Sequence, residues 1–220
     1  MALILNIDTA VDVASICLAK GGNVLSIAKN ESQKDHASWL HVAIKEIFEK
    51  NNLELISVDA IAVTGGPGSY TGLRIGMATA KGICFALNKP LISLNTLLVM
   101  ANAAKNEGAD LLCPMIDARR MEVFTAIYTK GLKVVKEPVA MTLNENSFAE
   151  YLSNKNICFF GNGSNKLKAI EKSPQAFFSD IKSDASSMIS LSEKSFTEKT
   201  FADLAYAEPL YLKEFYTPAK

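Results

Sequence analysis

Three runs rich in aliphatic and β-branched residues open the chain: ALILNIDTA (2–10), VASICLAK (13–20) and VLSIAKNE (24–31). Gly21-Gly22, between the last two, supplies the positive φ angles of a tight hairpin turn, so the pattern predicts a β-β-β start. The next segment, DHASWLHVAIKEIFEKNN, places Trp39, Leu40, Ala43, Ile44, Ile47 and Phe48 on one helical stripe. Asp35 stands where it would cap that helix, and Asn51-Asn52 where it would end. VDAIAVTGG then reads as a short apolar strand running into glycines, TGLRIGMATAKGICFAL as a second helix, PLISL as a strand, and residues near 96–106 as a third helix.

A looser version of the same series follows. LLCPMIDA, MEVFTAIYTK and LKVVKEPVAM read as strands, NENSFAEYL as a helix, NICFFG as a strand, and helices are predicted around 164–172 and 185–200. Helices that cross over between strands imply an α/β fold whose sheets are partly parallel. Two variants of one plan divide the chain into an N-terminal lobe, 1–107, and a C-terminal lobe, 108–205. The closing EPLYLKEF has strand character and is expected to return, within 206–220, to the first lobe.

Charge removes some function classes. Lys and Arg total 23 and so do Asp and Glu, so no overall excess of positive charge draws the molecule to nucleic acid or anionic lipid. Any RNA contact has to be local or borrowed from a partner. Cys17, Cys84, Cys113 and Cys158 sit singly in apolar or small-residue segments without a C-x-x-C pair, as buried reduced thiols do. MALILNIDT lacks a basic leader and turns polar too soon for a signal sequence. The expectation is a soluble, cytoplasmic protein.

The stretch GGPGSYTGLRIG, 65–76, admits two readings. A strand ending in glycines before a helix can aim backbone N–H groups at an anion. The spacing departs from both phosphate-binding patterns, because no Lys follows Gly72 and Gly66, Gly68 and Gly72 give G-x-G-x-x-x-G. The alternative is a scaffold: glycines that permit a sharp turn at Pro67, and Ser69 or Thr71 as helix cap. Within the helix, Gly72, Gly76 and Ala80 recur every four residues, continued by Ile83 and Cys84. Interior glycine costs about 1 kcal/mol relative to alanine, so this stripe signals close approach, either to the protein's own sheet or to another molecule.

Other candidate chemistry is thin. His36 and His41 are five residues apart, which turns them to different helix faces, unlike the i, i+4 pair of a zinc helix. Ser69 lacks the G-x-S-x-G context of a nucleophile. Asp8, at the end of the first strand, could hold a metal-nucleotide through water or cap a turn. Asp117, Arg119 and Arg120 in IDARRMEV could clamp an anion or form the turn between two strands with the arginines solvated.

LNIDTA, GGPGSYTGLRIGMATAKGI, PLISLNTL, IDARRMEVF and the closing PLYLKEF, in this order and spacing, resemble the TsaB family, bacterial accessory subunits for making threonylcarbamoyladenosine beside the tRNA anticodon. The resemblance covers essentially the whole chain. It implies the two-lobed fold of actin, Hsp70 and sugar kinases (the ASKHA fold), with a β-β-β-α-β-α core in each lobe and a degenerate second lobe. In the related catalytic subunit, TsaD, the strand after the glycine-loop helix leads into N-H-x-x-x-H, whose histidines hold a metal. Here that segment is NTLLVM, and Thr96 and Met100 take the histidine places. Neither replaces imidazole on a hard or borderline cation. The resemblance therefore implies a subunit with no catalytic residue, metal or cofactor of its own, which pairs with TsaD. It implies recruitment of the ATPase TsaE and contact with tRNA through the complex, and a possible homodimer when alone. Gly72, Gly76, Ala80 and Ile83, with Leu40, Ile44 and Ile47, are the expected contact residues. A metalloprotease or a small-molecule kinase of the same fold is the alternative. The first is disfavoured by the missing ligands and the second by the absence of clear phosphate signatures in the second lobe.

Overall fold

A computed structural model describes residues 1–30 and 36–213, and divides the chain into two compact units. The first comprises Met1–Asn102 and Ser183–Pro209. Its sheet is built from β1 (Leu3–Asp8), β2 (Ala14–Lys20), β3 (Asn23–Asn30), β4 (Ala60–Gly66) and β5 (Leu91–Asn95), in the order β3-β2-β1-β4-β5. The first three strands are antiparallel, whereas β4 pairs parallel to β1 and β5 parallel to β4. The central strand β1 is buried along its whole length, which explains why LILNID reads as a continuous run rather than an alternation.

Both faces of this sheet are covered. Leu3, Leu5 and Ile7 point to a core shared with α1 (His36–Lys50) and α2 (Tyr70–Leu87). Ile4, with Cys17 and Ala19, points to the other core, filled by Val99 of α3 (Thr96–Ala103), by Ala185 and Met188 of a single 3-10 turn and by Ile189. The helix α6 (Ile189–Thr197) continues from that turn. α1 ends at Lys50, and Asn52, two residues on, takes the left-handed region at φ 52°, while Asp35, the expected cap at the other end, lies outside the described residues.

The second unit comprises Ala103–Lys182 with the stretch that begins at Leu210. It contains β6 (Leu111–Asp117), β7 (Glu122–Thr129), β8 (Val134–Thr142), α4 (Ala149–Leu152), β9 (Ile157–Phe160), α5 (Ser164–Lys168) and β10 (Ala176–Ser179), with strand order β10-β9-β6-β7-β8. Again three antiparallel strands are followed by two parallel ones, so the connectivity of the first sheet is repeated. The helices have shrunk to four and five residues, against 15 and 18 in the first unit. Phe148 and Phe159, edge to face at 5.1 Å, help fill the core beneath them. This doubled plan is the actin/Hsp70/sugar-kinase-like α/β fold, with its second copy degenerate.

The expected lobe boundaries of 1–107 with 206–220 and 108–205 need correction. The return to the first unit begins at Ser183, because Ala185, Met188 and Ile189 bury their side chains against Ile4, Ala62 and Ile92 of the first sheet. At the other end, residues 208–213 form no strand, and Leu210 begins the return to the second unit. The last two residues of the expected EPLYLKEF strand lie outside the described residues. Among the described residues no helix is long and apolar enough to cross a membrane.

Candidate functional site

The glycine loop lies flat against the end of β1. Ser69 N donates to Ala10 O at 2.7 Å, and a Cβ at Gly68 would collide with that carbonyl. The Ser69 hydroxyl caps α2 by accepting from Gly72 N at 3.3 Å, so Ser69 rather than Thr71 is the cap. Thr9 Oγ1 donates to Gly72 O at 2.7 Å, locking strand to helix. A side chain at Gly72 would run into the Thr9 carbonyl, and one at Gly76 into the Thr9 hydroxyl and to within 3.3 Å of Val63 Cγ2. The glycines thus serve close packing of the protein on itself.

This overturns the expected contact surface. Gly72, Gly76 and Ala80 are buried against the first unit's own strands, and Ile83 packs against the same core. Leu40, Ile44 and Ile47 are likewise interior, because the α1 stripe that carries them is the face that covers the sheet. The solvent-facing side of α2 is instead formed by Thr71, Arg74, Ala78, Gly82, Phe85 and Ala86. Phe85 is 82% exposed, and a Cβ at Gly82 would meet nothing within 4 Å. Beside it, Lys81 Nζ donates to Ala205 O at 3.3 Å and Ala207 O at 2.8 Å, holding the segment after α6 and leaving Tyr206, between those carbonyls, 83% exposed. On α1, Val42 stands out at 54%. Sequence periodicity marks both faces of α2 with small residues and does not say which of them meets the sheet.

Asp8 ends β1 in full burial. Its Oδ1 accepts from Ala10 N at 3.1 Å and from Thr64 Oγ1 at 2.9 Å, while Oδ2 has no hydrogen-bond partner among the described residues. Burial pushes the carboxyl from its ordinary 3.8 up to about 6, the two hydrogen bonds oppose this, and the charge of Asp184 adds to it. Asp184 is itself tied to Lys29 at 2.6 Å. Burial raises Asp184 too, but Lys29 and Ser186 outweigh it and hold that carboxyl below its ordinary value.

Thr96 and Met100 are buried in α3, and Thr96 Oγ1 has no partner there. Nothing in a hydroxyl and a thioether so placed fits a catalytic cation. His41 is exposed, and the side chain of His36 lies outside the described residues. Among the described residues no three of His, Cys, Asp and Glu converge as a metal set. All four thiols are buried, and burial pushes Cys17 and Cys113 to about 12, which leaves them unreactive.

In the second unit, Arg119 and Arg120 form the tip of the β6–β7 hairpin at φ 70° and 48°, both exposed. Asp117 Oδ1 accepts from Arg119 N at 2.6 Å and from Lys166 Nζ at 2.8 Å. Burial pushes its carboxyl up, but Lys166 and the Arg119 amide prevail and hold it below the ordinary value.

The comparisons agree with this architecture. The family model described as TsaD, tRNA N6-adenosine threonylcarbamoyltransferase, matches residues 23–216. The tRNA threonylcarbamoyladenosine biosynthesis protein TsaB of Buchnera aphidicola subsp. Baizongia pistaciae is 33% identical over 170 residues, 74% of this chain and 76% of that protein. TsaB of Escherichia coli K12 is 34% identical over 58% of this chain and 55% of its own length. A solved Pseudomonas aeruginosa protein, described as similar to peptidase YEAZ, shares the fold with a TM-score of 0.86 at 24% identity, covering 97% of this chain and 100% of that one. The chain belongs to the TsaB family of tRNA threonylcarbamoyladenosine biosynthesis proteins, within the wider group defined by TsaD.

Proposed function

We propose that the chain is a non-catalytic cytoplasmic partner subunit that binds and activates TsaD in the complex forming N6-threonylcarbamoyladenosine next to the tRNA anticodon, with TsaE joining through that complex. The observation that carries this reading is the outer face of α2, where Phe85, Ala78, Ala86 and the open Gly82 present apolar surface that the protein's own core does not use. An exposed aromatic beside small residues suits helix-on-helix docking, because the small positions let backbones approach while the ring fills a pocket. The buried Thr96 and Met100 support the non-catalytic part, since they leave α3 without imidazole ligands. In the absence of TsaD the same face would serve a homodimer.

Titration of labelled TsaD tests this. Phe85→Ala is expected to cost about 2 kcal/mol, roughly thirtyfold in Kd, and Gly82→Arg to weaken binding at least as much while leaving thermal unfolding of the free chain unchanged. Unaltered affinity in both variants would refute the surface. The chain alone, given threonylcarbamoyl-adenylate and unmodified tRNA, is expected to yield no product, and product above background would refute the non-catalytic assignment.

A further inference from the structure

The hairpin tip of the second unit is not used by the reading above. Ala118 N donates to Glu122 O and Glu122 N to Arg119 O, each at 3.0 Å, closing a tip made of Arg119, Arg120 and Met121. Two consecutive arginines there adopt the left-handed conformation that glycine and asparagine occupy at least cost. Both acids at the hairpin base are already engaged by lysines: Asp117 by Lys166, and Glu122 by Lys213. Lys166 Nζ also donates to Glu122 O at 2.9 Å, and Asn162 Oδ1 accepts from Asp117 N at 2.8 Å, so the base is pinned from both sides. Neither guanidinium has a hydrogen bond or ion pair among the described residues. In a chain whose formal charge is zero, this cluster sets Arg119, Arg120, Lys166 and Lys213 against Asp117 and Glu122. The excess lies at the exposed tip.

We infer that Arg119 and Arg120 contact the phosphodiester backbone of the tRNA, so that the chain supplies a nucleic-acid contact of its own. This rests on the complex proposed above. Guanidiniums bind phosphate oxygens bidentately and do so from solvated positions. A protein partner would require a desolvated apolar centre, and the tip offers only Met121, 40% exposed. A backbone contact of this kind carries no sequence reading; it would position the RNA.

The test uses the assembled complex with TsaD and fluorescent, unmodified tRNA, with anisotropy titrations at several salt concentrations. The double variant Arg119→Asn, Arg120→Asn keeps residues suited to left-handed backbone. It is expected to weaken tRNA binding roughly tenfold near 0.1 M salt and to lower the slope of log Kd against log salt by about 2. Lys130→Gln, Lys133→Gln, which removes the same charge from the turn at the other end of β7, is expected to leave Kd within about twofold. Unchanged tRNA affinity and slope in the arginine variant would overturn the inference, as would an equal loss in the lysine control. A separate titration against TsaD distinguishes the two readings: normal assembly with normal tRNA binding overturns the arginine contact alone, whereas failure of the unmutated chain to bind TsaD overturns the complex. Loss of TsaD affinity in the arginine variant, with tRNA binding by the assembled complex unaltered, would make the hairpin a protein contact and also overturn the inference.

Discussion

Asp8 makes the stability of the first unit depend on pH in an unusual direction. With the folded carboxyl at about 6 and the ordinary value at 3.8, the folded state holds a proton that the unfolded chain has already lost across that interval. Stability attributable to this group therefore falls as pH rises, by about 3 kcal/mol in all, of which about 2 kcal/mol falls between about pH 4.5 and 7.5. Asp117 and Asp184 act oppositely and lower on the scale: their depressed carboxyls stabilise above the ordinary value, and that contribution is lost as pH falls through the acid range. Asp8→Asn copies the shape of the neutral acid, keeps the Oδ1 acceptor for Ala10 N and Thr64 Oγ1, and does not titrate. Trp39, the one tryptophan, packs against the core under α1 and reports unfolding of the unit that contains Asp8. Urea unfolding followed by its fluorescence is expected to show the variant gaining about 2 kcal/mol on the wild type between pH 4.5 and 7.5. Parallel stability curves, or a gain towards acid pH, would refute the assignment of a buried, proton-holding Asp8.

Gly76→Leu is expected to lower the unfolding temperature of the isolated chain, because the new side chain meets Thr9 and Val63 rather than solvent. Overpacking of about 1–3 kcal/mol corresponds to a fall of roughly 3–10 °C for a chain of this size, and an unchanged melting temperature by calorimetry would contradict the inward placement of the stripe. Ser69→Ala removes the acceptor for Gly72 N and should cost about 1 kcal/mol in urea unfolding; a Thr71→Ala change that cost as much would show the cap to be misassigned.

What the residues reveal in advance depends on whether the physics is local. The strands of the first unit, the Ser69 cap of α2 and the repeated order of elements follow from short-range pattern, and the structure contains them. β10 (Ala176–Ser179) escapes such reading because four residues after a proline show neither alternation nor turn chemistry, and only pairing with β9 makes them a strand. EPLYLKEF fails in the opposite way. Leu210, Tyr211 and Leu212 give it strand character, yet residues 208–213 form no strand. The segment from Ser183 joins the first unit because Met188 and Ile189 meet Ile4 and Ile92 there, a choice of sheet that no local pattern encodes.

The same limit governs the candidate site. Gly76 and Gly82 lie on one helix, six residues apart, with small neighbours on both sides. What separates them is the terrain beneath the helix: Thr9 and Val63 crowd the first, and nothing stands within 4 Å of a Cβ at the second. An interior glycine costs about 1 kcal/mol of helix propensity in either place. At Gly76 that cost is offset inside the fold, where a larger residue could not pack against β1 and β4. At Gly82 the fold gains nothing in return, which is why the proposed pairing uses this open glycine together with Phe85, exposed one turn later, as the surface for a second helix.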